Sequence, residues 1–203
     1  MSNEVGLPRP AENGRMSVEE TISRRRSCRI FASTPLSLRQ LAQLLWCAQG
    51  VTARAASGRA APSAGATYPI EVFVAVGDGT VEGLSRGVYR YNPPRHVLEP
   101  CGGKDVRPQV ASAALEQRFL ATAPVDLLIA ADYRRTGRRY GERAVRYVHM
   151  EVGHVGQNVH LQCEALGLGT VAVGAFSDDD VKSAFGLPGE LSPLYLMPVG
   201  HPC

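Results

Sequence analysis

Two runs of strand-forming residues place the strongest constraint on the fold of this 203-residue chain. The runs are Ile70-Glu71-Val72-Phe73-Val74-Ala75-Val76 and Val125-Asp126-Leu127-Leu128-Ile129-Ala130-Ala131. β-branched and aromatic side chains favour strands, and a strand that is apolar on both faces must be covered on both faces. We therefore predict that both runs are buried strands of a sheet covered by helices.

Helical periodicity elsewhere in the chain predicts the elements that cover this sheet. Residues 38–48 carry leucine and alanine at three- and four-residue steps, which predicts an amphipathic helix. Other helices are predicted from Ser17, whose hydroxyl can cap the first turn, over 106–119, and from Asp178. The longest predicted helix, about 142–166, has a core stripe formed by Val145, Val148, Val152, Val155 and Val159.

Shorter strands and the mixed order of elements complete the predicted fold. Residues 87–99 predict a hairpin with an Asn-Pro-Pro turn, and short strands are predicted over 170–176 and 194–199. The basic residues 134–139 and the small, basic residues 51–61 are predicted to form loops. Because strands and helices do not alternate strictly, we predict an α+β fold with a central mixed or antiparallel sheet covered by helices.

The chain is predicted to form one domain over residues 16–203, preceded by a flexible arm over residues 1–15. The arm is polar, contains Pro8, Pro10 and Gly14, and lacks the apolar segment of a signal peptide. No apolar run approaches the roughly 20 residues that cross a bilayer. We therefore expect a cytoplasmic protein that does not enter the membrane. Its five scattered cysteines are expected to be reduced and mostly buried.

Basic residues are concentrated in the run Arg24-Arg25-Arg26-Ser27-Cys28-Arg29. One interpretation is a solvated helix end, because cations are favourable at a helix C-terminus. The other is an anion site, because arginine forks and a serine hydroxyl suit phosphate oxygens. Nucleic-acid binding is not favoured, because neither this run nor 134–139 has interleaved aromatic residues and no nucleic-acid reader motif is present.

Other kinds of site lack a complete set of residues. Gly167-Leu168-Gly169 follows a predicted helix and precedes a predicted strand, which is the reverse of the order in a dinucleotide-binding fingerprint. His149, His154 and His160 stand at five- and six-residue steps and do not share a helix face, so we predict no metal site. The arginine run and the small-residue run 62–69, which lets backbone approach another group closely, fit a cofactor cradle better.

Taken together, these segments resemble the nitroreductase-like FMN flavoprotein family, and within it the SagB-type dehydrogenase branch, which includes enzymes that oxidise azoline rings in ribosomal peptides. The resemblance covers nearly the whole chain from about residue 18. It implies a nitroreductase-like fold arranged as an intertwined homodimer, with one FMN at each subunit interface. The matching motifs are Arg25-Arg26-Ser27-Cys28-Arg29-Ile30-Phe31, Pro62-Ser63-Ala64-Gly65-Ala66-Thr67-Tyr68-Pro69, Gly87-Val88-Tyr89-Arg90-Tyr91, Gly153-His154-Val155-Gly156-Gln157-Asn158 and Gly167-Leu168-Gly169-Thr170-Val171-Ala172-Val173-Gly174-Ala175-Phe176.

The resemblance also implies which residues bind FMN. The flavin phosphate, ribityl chain and pyrimidine edge would be held by Arg25, Ser27 and Arg29. The residues that would reach the flavin from the partner subunit are Pro62, Ser63, Ala64 and Ala66. Those expected beside the reactive flavin nitrogen are Gly174 and Ala175. The basic C-terminal arm of many relatives is not matched, so we expect its role to be taken by Arg26 or by a cation of residues 54–59, such as Arg54 or Arg59.

The implied activity is that of an FMN-dependent oxidoreductase. Hydride would pass from NAD(P)H to the flavin and then, in a ping-pong cycle, to a small oxidised acceptor such as a nitroaromatic or a quinone. No side-chain acid or base is expected to be obligatory. The candidates for the substrate side are Tyr133 and Tyr140, together with the arginines of 134–139.

Two alternative functions stay open at this point. The first is a biosynthetic FMN dehydrogenase that oxidises a peptide azoline or another natural-product intermediate with O2 as acceptor. Azoline dehydrogenases carry a Lys–Tyr pair as base, whereas this chain has Arg139-Tyr140, and arginine does not deprotonate in the usual pH range. The second alternative, from another class, is a non-catalytic flavin-binding partner protein.

Overall fold

A computed structural model describes residues 4–52 and 58–203 of the chain, and these residues form an antiparallel sheet with helices on both faces. Seven strands are hydrogen-bonded in the order β1-β4-β3-β2-β5-β7-β6, and each neighbouring pair is antiparallel. The strands are β1 (Val5–Gly6), β2 (Ile70–Val76), β3 (Gly87–Asn92), β4 (Val97–Gly102), β5 (Val125–Ala131), β6 (Gly169–Thr170) and β7 (Ser192–Gly200).

The two apolar runs form the centre of the sheet, as predicted. Every residue of β2 and of β5 is buried. The two strands pair along their whole length, from Ile70 opposite Ala131 to Val76 opposite Val125. The start of β2 and the end of β5 therefore lie at the same end of the sheet.

The helices form two layers, which confirms the predicted α+β fold. On one face, α2 and α6 pack on the sheet through residues such as Leu41, Leu45 and Val155. On the other face, α3, α4 and α7 pack through residues that include Val110 and Phe185. The helices are α1 (Val18–Arg24), α2 (Leu38–Gln49), α3 (Arg107–Ala113), α4 (Phe119–Thr122), α5 (Tyr133–Tyr140), α6 (Ala144–Ala165) and α7 (Asp178–Phe185).

The valine stripe and the first helix cap are largely confirmed. Val148, Val152, Val155 and Val159 are buried, but Val145 is 52% exposed, so the stripe begins one step later than predicted. The Ser17 hydroxyl accepts a hydrogen bond from the backbone N–H of Glu20, as expected for an N-cap.

Three predicted elements differ from the structure. The helix predicted over 106–119 is broken because Leu115 and Glu116 adopt left-handed φ values of 58° and 59°. The strand predicted over 170–176 is reduced to β6, followed by a single bridge between Val173 and Leu196. Residues 134–139, predicted as a loop, belong to α5, because the Asp132 carboxylate caps the helix by accepting from the N–H of Arg134.

Residues 4–11 of the predicted flexible arm contact the rest of the protein. β1 pairs with β4, the Glu4 carboxylate pairs with Arg95, and the Gln43 side chain exchanges two hydrogen bonds with the backbone of Ala11. The predicted loop over 51–61 contains a bridge between Val51 and Arg59, while residues 53–57, with Arg54, lie outside the described residues.

The cysteines are all free thiols, as predicted, but the expectation that most are buried is wrong. Cys47 and Cys163 are buried, Cys28 is half-buried, and Cys101 and Cys203 are exposed. Within the described ranges, no helix combines the length and the apolarity that crossing a bilayer requires.

A buried carboxyl group lies within the centre of the sheet. Asp126 in β5 is 0% exposed, and neither of its carboxyl oxygens has a hydrogen-bond partner among the described residues. One of its cross-strand neighbours is Pro198, which has no N–H to donate. Burial raises the pKa of Asp126 well above its ordinary value, an effect that the nearby Arg107 only partly opposes.

Replacing Asp126 with Asn is expected to reduce the dependence of stability on pH. The folded state keeps this proton at pH values where the unfolded chain has released it, so the free energy of unfolding falls as pH rises above about 4. One such group contributes at most about 1.4 kcal/mol per pH unit. Urea unfolding of Asp126→Asn between pH 4 and 8 measures this contribution.

Asp105→Asn is the matched control. At Asp105, burial is outweighed by hydrogen bonds from Arg107, so the pKa is lowered and the carboxylate stabilises the fold at neutral pH. Its replacement should therefore destabilise the protein at pH 7, and this effect should become smaller as pH falls below about 4. If Asp126→Asn kept the wild-type change of unfolding free energy with pH, Asp126 would not be the buried group that retains its proton.

Candidate functional site

The arginine run begins where α1 ends, and its cations have different surroundings. Arg24 pairs with Glu20 at 2.9 Å and with Glu164 at 3.2 Å. By contrast, the half-buried Arg25 and the exposed Arg29 form no ion pair with a carboxylate of the described residues. Since Arg25 and Arg29 flank Ser27, two guanidinium groups and a hydroxyl remain available to an anion at this position.

The run lies along β6 and the second half of α6. Ser27 forms a bridge with Thr170, and the N–H of Cys28 donates to the carbonyl of Thr170 at 2.9 Å. The Thr170 hydroxyl is buried without a described hydrogen-bond partner, as is Nδ1 of His160. Burial, and to a lesser extent the charge of Arg25, lowers the pKa of His160. The Thr170 hydroxyl and the Arg25 cation, which has no described carboxylate partner, therefore lie near Ser27, and this pairing fits the chemistry of a phosphate-bearing ligand.

Two cations considered as substitutes for a basic arm are engaged elsewhere. The Arg26 guanidinium donates to the carbonyls of Ser23 at 3.0 Å and Arg25 at 2.8 Å, and so caps the end of α1. Arg59 donates to Oε1 of Gln49 at 2.8 Å and stacks 4.4 Å from the centroid of the Tyr68 ring. The position of Arg54 lies outside the described ranges.

Residues 62–68 form a strained loop directly before β2. Gly65, Ala66 and Tyr68 have φ values of 58°, 52° and 46°, in the left-handed region that is unfavourable for residues with a Cβ. The loop is closed internally by a 3.0 Å hydrogen bond from the N–H of Tyr68 to the Ser63 hydroxyl. Such a conformation persists only where surrounding groups hold it.

Helix α5 supplies one set of those groups. Arg135 donates to the carbonyl of Tyr68 at 3.2 Å, and Arg139 donates to the carbonyl of Gly65 at 3.1 Å. Between them, the hydroxyl of the buried Thr136 lies 2.9 Å from that of Thr67. The arginine-rich segment therefore holds the 62–68 loop in place.

Helix α6 supports the same loop from another side. Glu151 is 2% exposed, and the Ser63 hydroxyl lies near enough to act on its carboxyl group. Burial raises the pKa of Glu151 to about 7, against the opposing effects of Ser63, Arg59 and Gln49. One turn further along α6, Nδ1 of His154 lies 3.4 Å from the carbonyl oxygen of Pro62.

Gly174 and Ala175, which are expected beside the reactive flavin nitrogen, lie on a separate, exposed segment. The backbone N–H groups of Gly174 and Ala175 have no hydrogen-bond acceptor among the described residues, so both remain available to a ligand. The ring of Tyr195 lies between this segment and α6. A Cβ added at Gly174 would be 3.6 Å from the ring, and one added at Gly156 would be 3.5 Å from it.

The substrate-side candidates have different partners. The Tyr133 hydroxyl lies 2.7 Å from Nε2 of His149, and the two rings meet edge to face. Tyr140 packs edge to face on Tyr147, and a Cβ added at Gly65 would come within 2.5 Å of the Tyr140 hydroxyl. Tyr140 therefore lies against the 62–68 loop, whereas Tyr133 is placed beside α6.

The structure does not bring all of the predicted residues together within one chain. The arginine run lies near α6 at His160 and Glu164, whereas the 62–68 loop lies near it at Glu151 and His154. These positions are between six and thirteen residues apart, which corresponds to about 9 to 20 Å along a helix. Within one chain, the two groups of predicted residues therefore meet α6 at different places.

Glu151 and Thr136, which support the 62–68 loop, were not predicted from the sequence. Glu151 stands between Val148 and Val152 on the buried stripe of α6, and a carboxyl group on an apolar stripe is a usable signal. Asp132 can cap a helix, so it is a usable signal for α5 and therefore for the position of Thr136 within that helix. The stacking of Arg59 on Tyr68 has no local sequence signal, because it depends on tertiary contacts.

Comparisons with known proteins agree on one family. The sequence profile described as "Nitroreductase family" matches residues 22–201. A Methanocaldococcus jannaschii protein that carries the provisional name of a nitroreductase is 48% identical over 198 residues, covering 98% of this chain and 96% of that protein.

Two solved structures show the same fold. A crystal structure from Ralstonia eutropha, whose description also gives a provisional nitroreductase name, has a TM-score of 0.86 and 30% identity, covering 98% of this chain and 90% of the other. A chain of the Escherichia coli microcin synthetase McbBCD complex, with truncated pro-MccB17 bound, has a TM-score of 0.78 and 26% identity, covering 94% of this chain and 74% of that one.

Replacing Thr136 with Val is expected to loosen the 62–68 loop. The substitution keeps the shape of the side chain but removes the hydroxyl pair with Thr67, a loss of about 1 kcal/mol. Hydrogen exchange of the loop amides should become faster, and chemical unfolding should show the corresponding destabilisation. Thr122→Val is the control, because that exposed hydroxyl bonds only within its own turn. Equal exchange rates in the two variants would contradict the role of Thr136.

Proposed function

Because the chain belongs to the nitroreductase family, we propose that it is an FMN-dependent oxidoreductase. It would take hydride from NADH or NADPH and reduce a small oxidised acceptor of the nitroaromatic or quinone type in a ping-pong cycle. The bound flavin would supply the hydride-transfer chemistry, and the chain would supply binding, orientation and electrostatics.

The observation that carries this proposal is the pair of uncompensated cations around Ser27. Arg24 is neutralised by two glutamates, whereas Arg25 and Arg29 have no described carboxylate partner. Such a pair suits the flavin phosphate and the electron-rich pyrimidine edge, where a cation favours the reduced form. The buried hydroxyl of Thr170 beside this pair offers one further donor.

The separation of the arginine run and the 62–68 loop along α6 favours a homodimer with the flavin between subunits. Pro62 and Ala66 are exposed on this loop, which meets α6 at least six residues, or about 9 Å, before the arginine run of its own chain does. A second copy would bring its loop to the first copy's arginines. Exposed apolar residues on α1 and α6 are available for the subunit contact: Val18, Ile22, Val145 and Met150.

The remaining residues fit roles on the reacting side of the flavin. Gly174 and Ala175 would donate a backbone N–H toward the reactive nitrogen, because those N–H groups have no described acceptor. Tyr140 would approach the substrate together with the 62–68 loop. Tyr133, paired with His149, would lie nearer α6.

A biosynthetic dehydrogenase of the SagB type is the second candidate function. It is favoured by the similarity to a chain of the McbBCD complex, which was solved with a truncated pro-peptide bound. Arg139 cannot act as the base that a lysine would provide, and its guanidinium donates to Gly65. The hydrogen-bonded Tyr133–His149 pair is the group of this chain that could take a proton instead. A non-catalytic flavin-binding role is separated from both by the experiments below.

Arg25→Ala and Arg29→Ala are each expected to weaken FMN binding by roughly 10- to 100-fold. Each substitution removes a charge-assisted hydrogen bond, for which a loss of about 1.5–3 kcal/mol is typical. Quenching of flavin fluorescence on titration of apoprotein measures the dissociation constants. Arg24→Ala is the matched control and should bind FMN like the wild type. Full flavin affinity in both test variants would remove the basis of the assignment.

Anaerobic mixing of the FMN-loaded protein with NADH or NADPH should bleach the flavin absorption. Subsequent addition of a quinone should restore it, because the two half-reactions are independent in a ping-pong cycle. A protein that binds FMN but is bleached by neither donor would fit the biosynthetic dehydrogenase or the non-catalytic function. Reoxidation by O2 after reduction with an azoline-containing peptide would then identify the dehydrogenase.

A further inference from the structure

Glu151 occupies a buried position beneath the 62–68 loop that the proposed hydride transfer does not use. It lies on the inner face of α6 and is 2% exposed. The groups near enough to act on its carboxyl group are the Ser63 hydroxyl of the loop, the Gln49 amide at the end of α2, and the Arg59 guanidinium. Three segments of the chain therefore converge on one carboxyl group.

These groups belong to a closed cycle of contacts that passes through the loop itself. The Ser63 hydroxyl accepts from the N–H of Tyr68, the Tyr68 ring stacks under Arg59, and Arg59 donates to Oε1 of Gln49. At Glu151 this cycle of contacts lacks hydrogen bonds. Oε1 of Glu151 and Nε2 of Gln49 are both buried without a partner in hydrogen-bond geometry, although the amide lies near enough to act on the carboxyl group.

We propose that Glu151 is a positioning residue whose carboxyl group holds the 62–68 loop closed while it is protonated and favours opening of the loop when it ionises. A neutral carboxyl group tolerates burial with one bare oxygen, whereas a carboxylate in the same place requires solvent or more donors. Opening of the loop would admit water to Glu151. The strained backbone of Ala66 and Tyr68 gives the loop a further tendency to relax when its support weakens.

Proton linkage gives the direction in which pH changes the loop-opening equilibrium. In the closed loop the pKa of Glu151 is about 7, whereas a hydrated glutamate has its ordinary value of 4.5. The closed form therefore binds the proton more tightly, and opening is favoured by up to about tenfold per pH unit between these two values. Above pH 7 both forms are ionised, and the opening equilibrium reaches a plateau.

The charged groups around Glu151 do not reverse the expected effect of pH on loop opening. Arg59 is the charged group of the described residues that acts on it, and it stabilises the ionised form by less than burial destabilises it. Arg59 is itself influenced by Tyr68, Arg135 and Glu71. On α6, His154 contacts the loop at Pro62, so it needs a control.

Hydrogen exchange of the Tyr68 amide in the apoprotein tests the proposal, because this N–H donates to Ser63 in the closed loop. After correction for intrinsic exchange, wild-type protection should fall by roughly 40-fold from pH 5 to pH 7. Glu151→Gln should show little change over this range, whereas His154→Gln should keep the wild-type dependence. If protection of the Tyr68 amide changed with pH in Glu151→Gln as it does in the wild type, or did not change in the wild type, the role of Glu151 would be overturned.

A second measurement keeps the test decisive if Glu151→Gln does not fold. Carbon-13 titration of the wild-type carboxyl groups should show Glu151 ionising near pH 7, and a midpoint near 4.5 would overturn the proposal. The consequence for flavin rests on the proposed function. If the loop contacts FMN, the wild-type dissociation constant should rise from pH 5 to pH 7, while that of Glu151→Gln should not. No FMN binding at any pH would refute the proposed function, while the apoprotein exchange data would still decide the role of Glu151.

Discussion

The antiparallel pairing of β2 with β5 is the interaction on which the candidate site depends. Because the two strands run in opposite directions, Ile70 at the start of β2 lies opposite Ala131 at the end of β5. The loop that enters β2 and the helix that leaves β5 must therefore meet at one end of the sheet. That meeting allows Arg135, Thr136 and Arg139 to support a backbone conformation that residues 62–68 would not keep alone.

Much of the fold could be predicted because its signals are local. Runs rich in strand-forming apolar residues identify β2 and β5, and three- and four-residue steps identify α2 and α6 without knowledge of any partner. The errors fall where tertiary contacts decide the conformation. Leu115 and Glu116 leave the helical region despite a helical pattern. Residues 134–139 have few apolar side chains, yet they are helical because Asp132 caps them and their cations bind the neighbouring loop.

The candidate site shows the same division between local and tertiary information. Motifs place the arginine run, the 62–68 loop and Gly174 in the chain, but they do not reveal which cations are already neutralised. Arg24 and Arg25 are adjacent and chemically identical, but Arg24 pairs with Glu20 on α1 and with Glu164 on α6, whereas Arg25 pairs with neither. Likewise, the environment of Glu151 depends on residues 49, 59 and 63, which come from separate segments.

The short strand β1 protects an otherwise open edge of the sheet. Val5 and Gly6 cover part of β4, whose outer N–H and C=O groups would otherwise be free to pair with a strand of another molecule. The Glu4–Arg95 ion pair and the contact of His96 with the Pro8 carbonyl fasten this cover to the β3–β4 hairpin. Residues 4–11 thus cover an edge that could otherwise pair with another molecule, so a chain without them would keep the candidate site but expose that edge of β4.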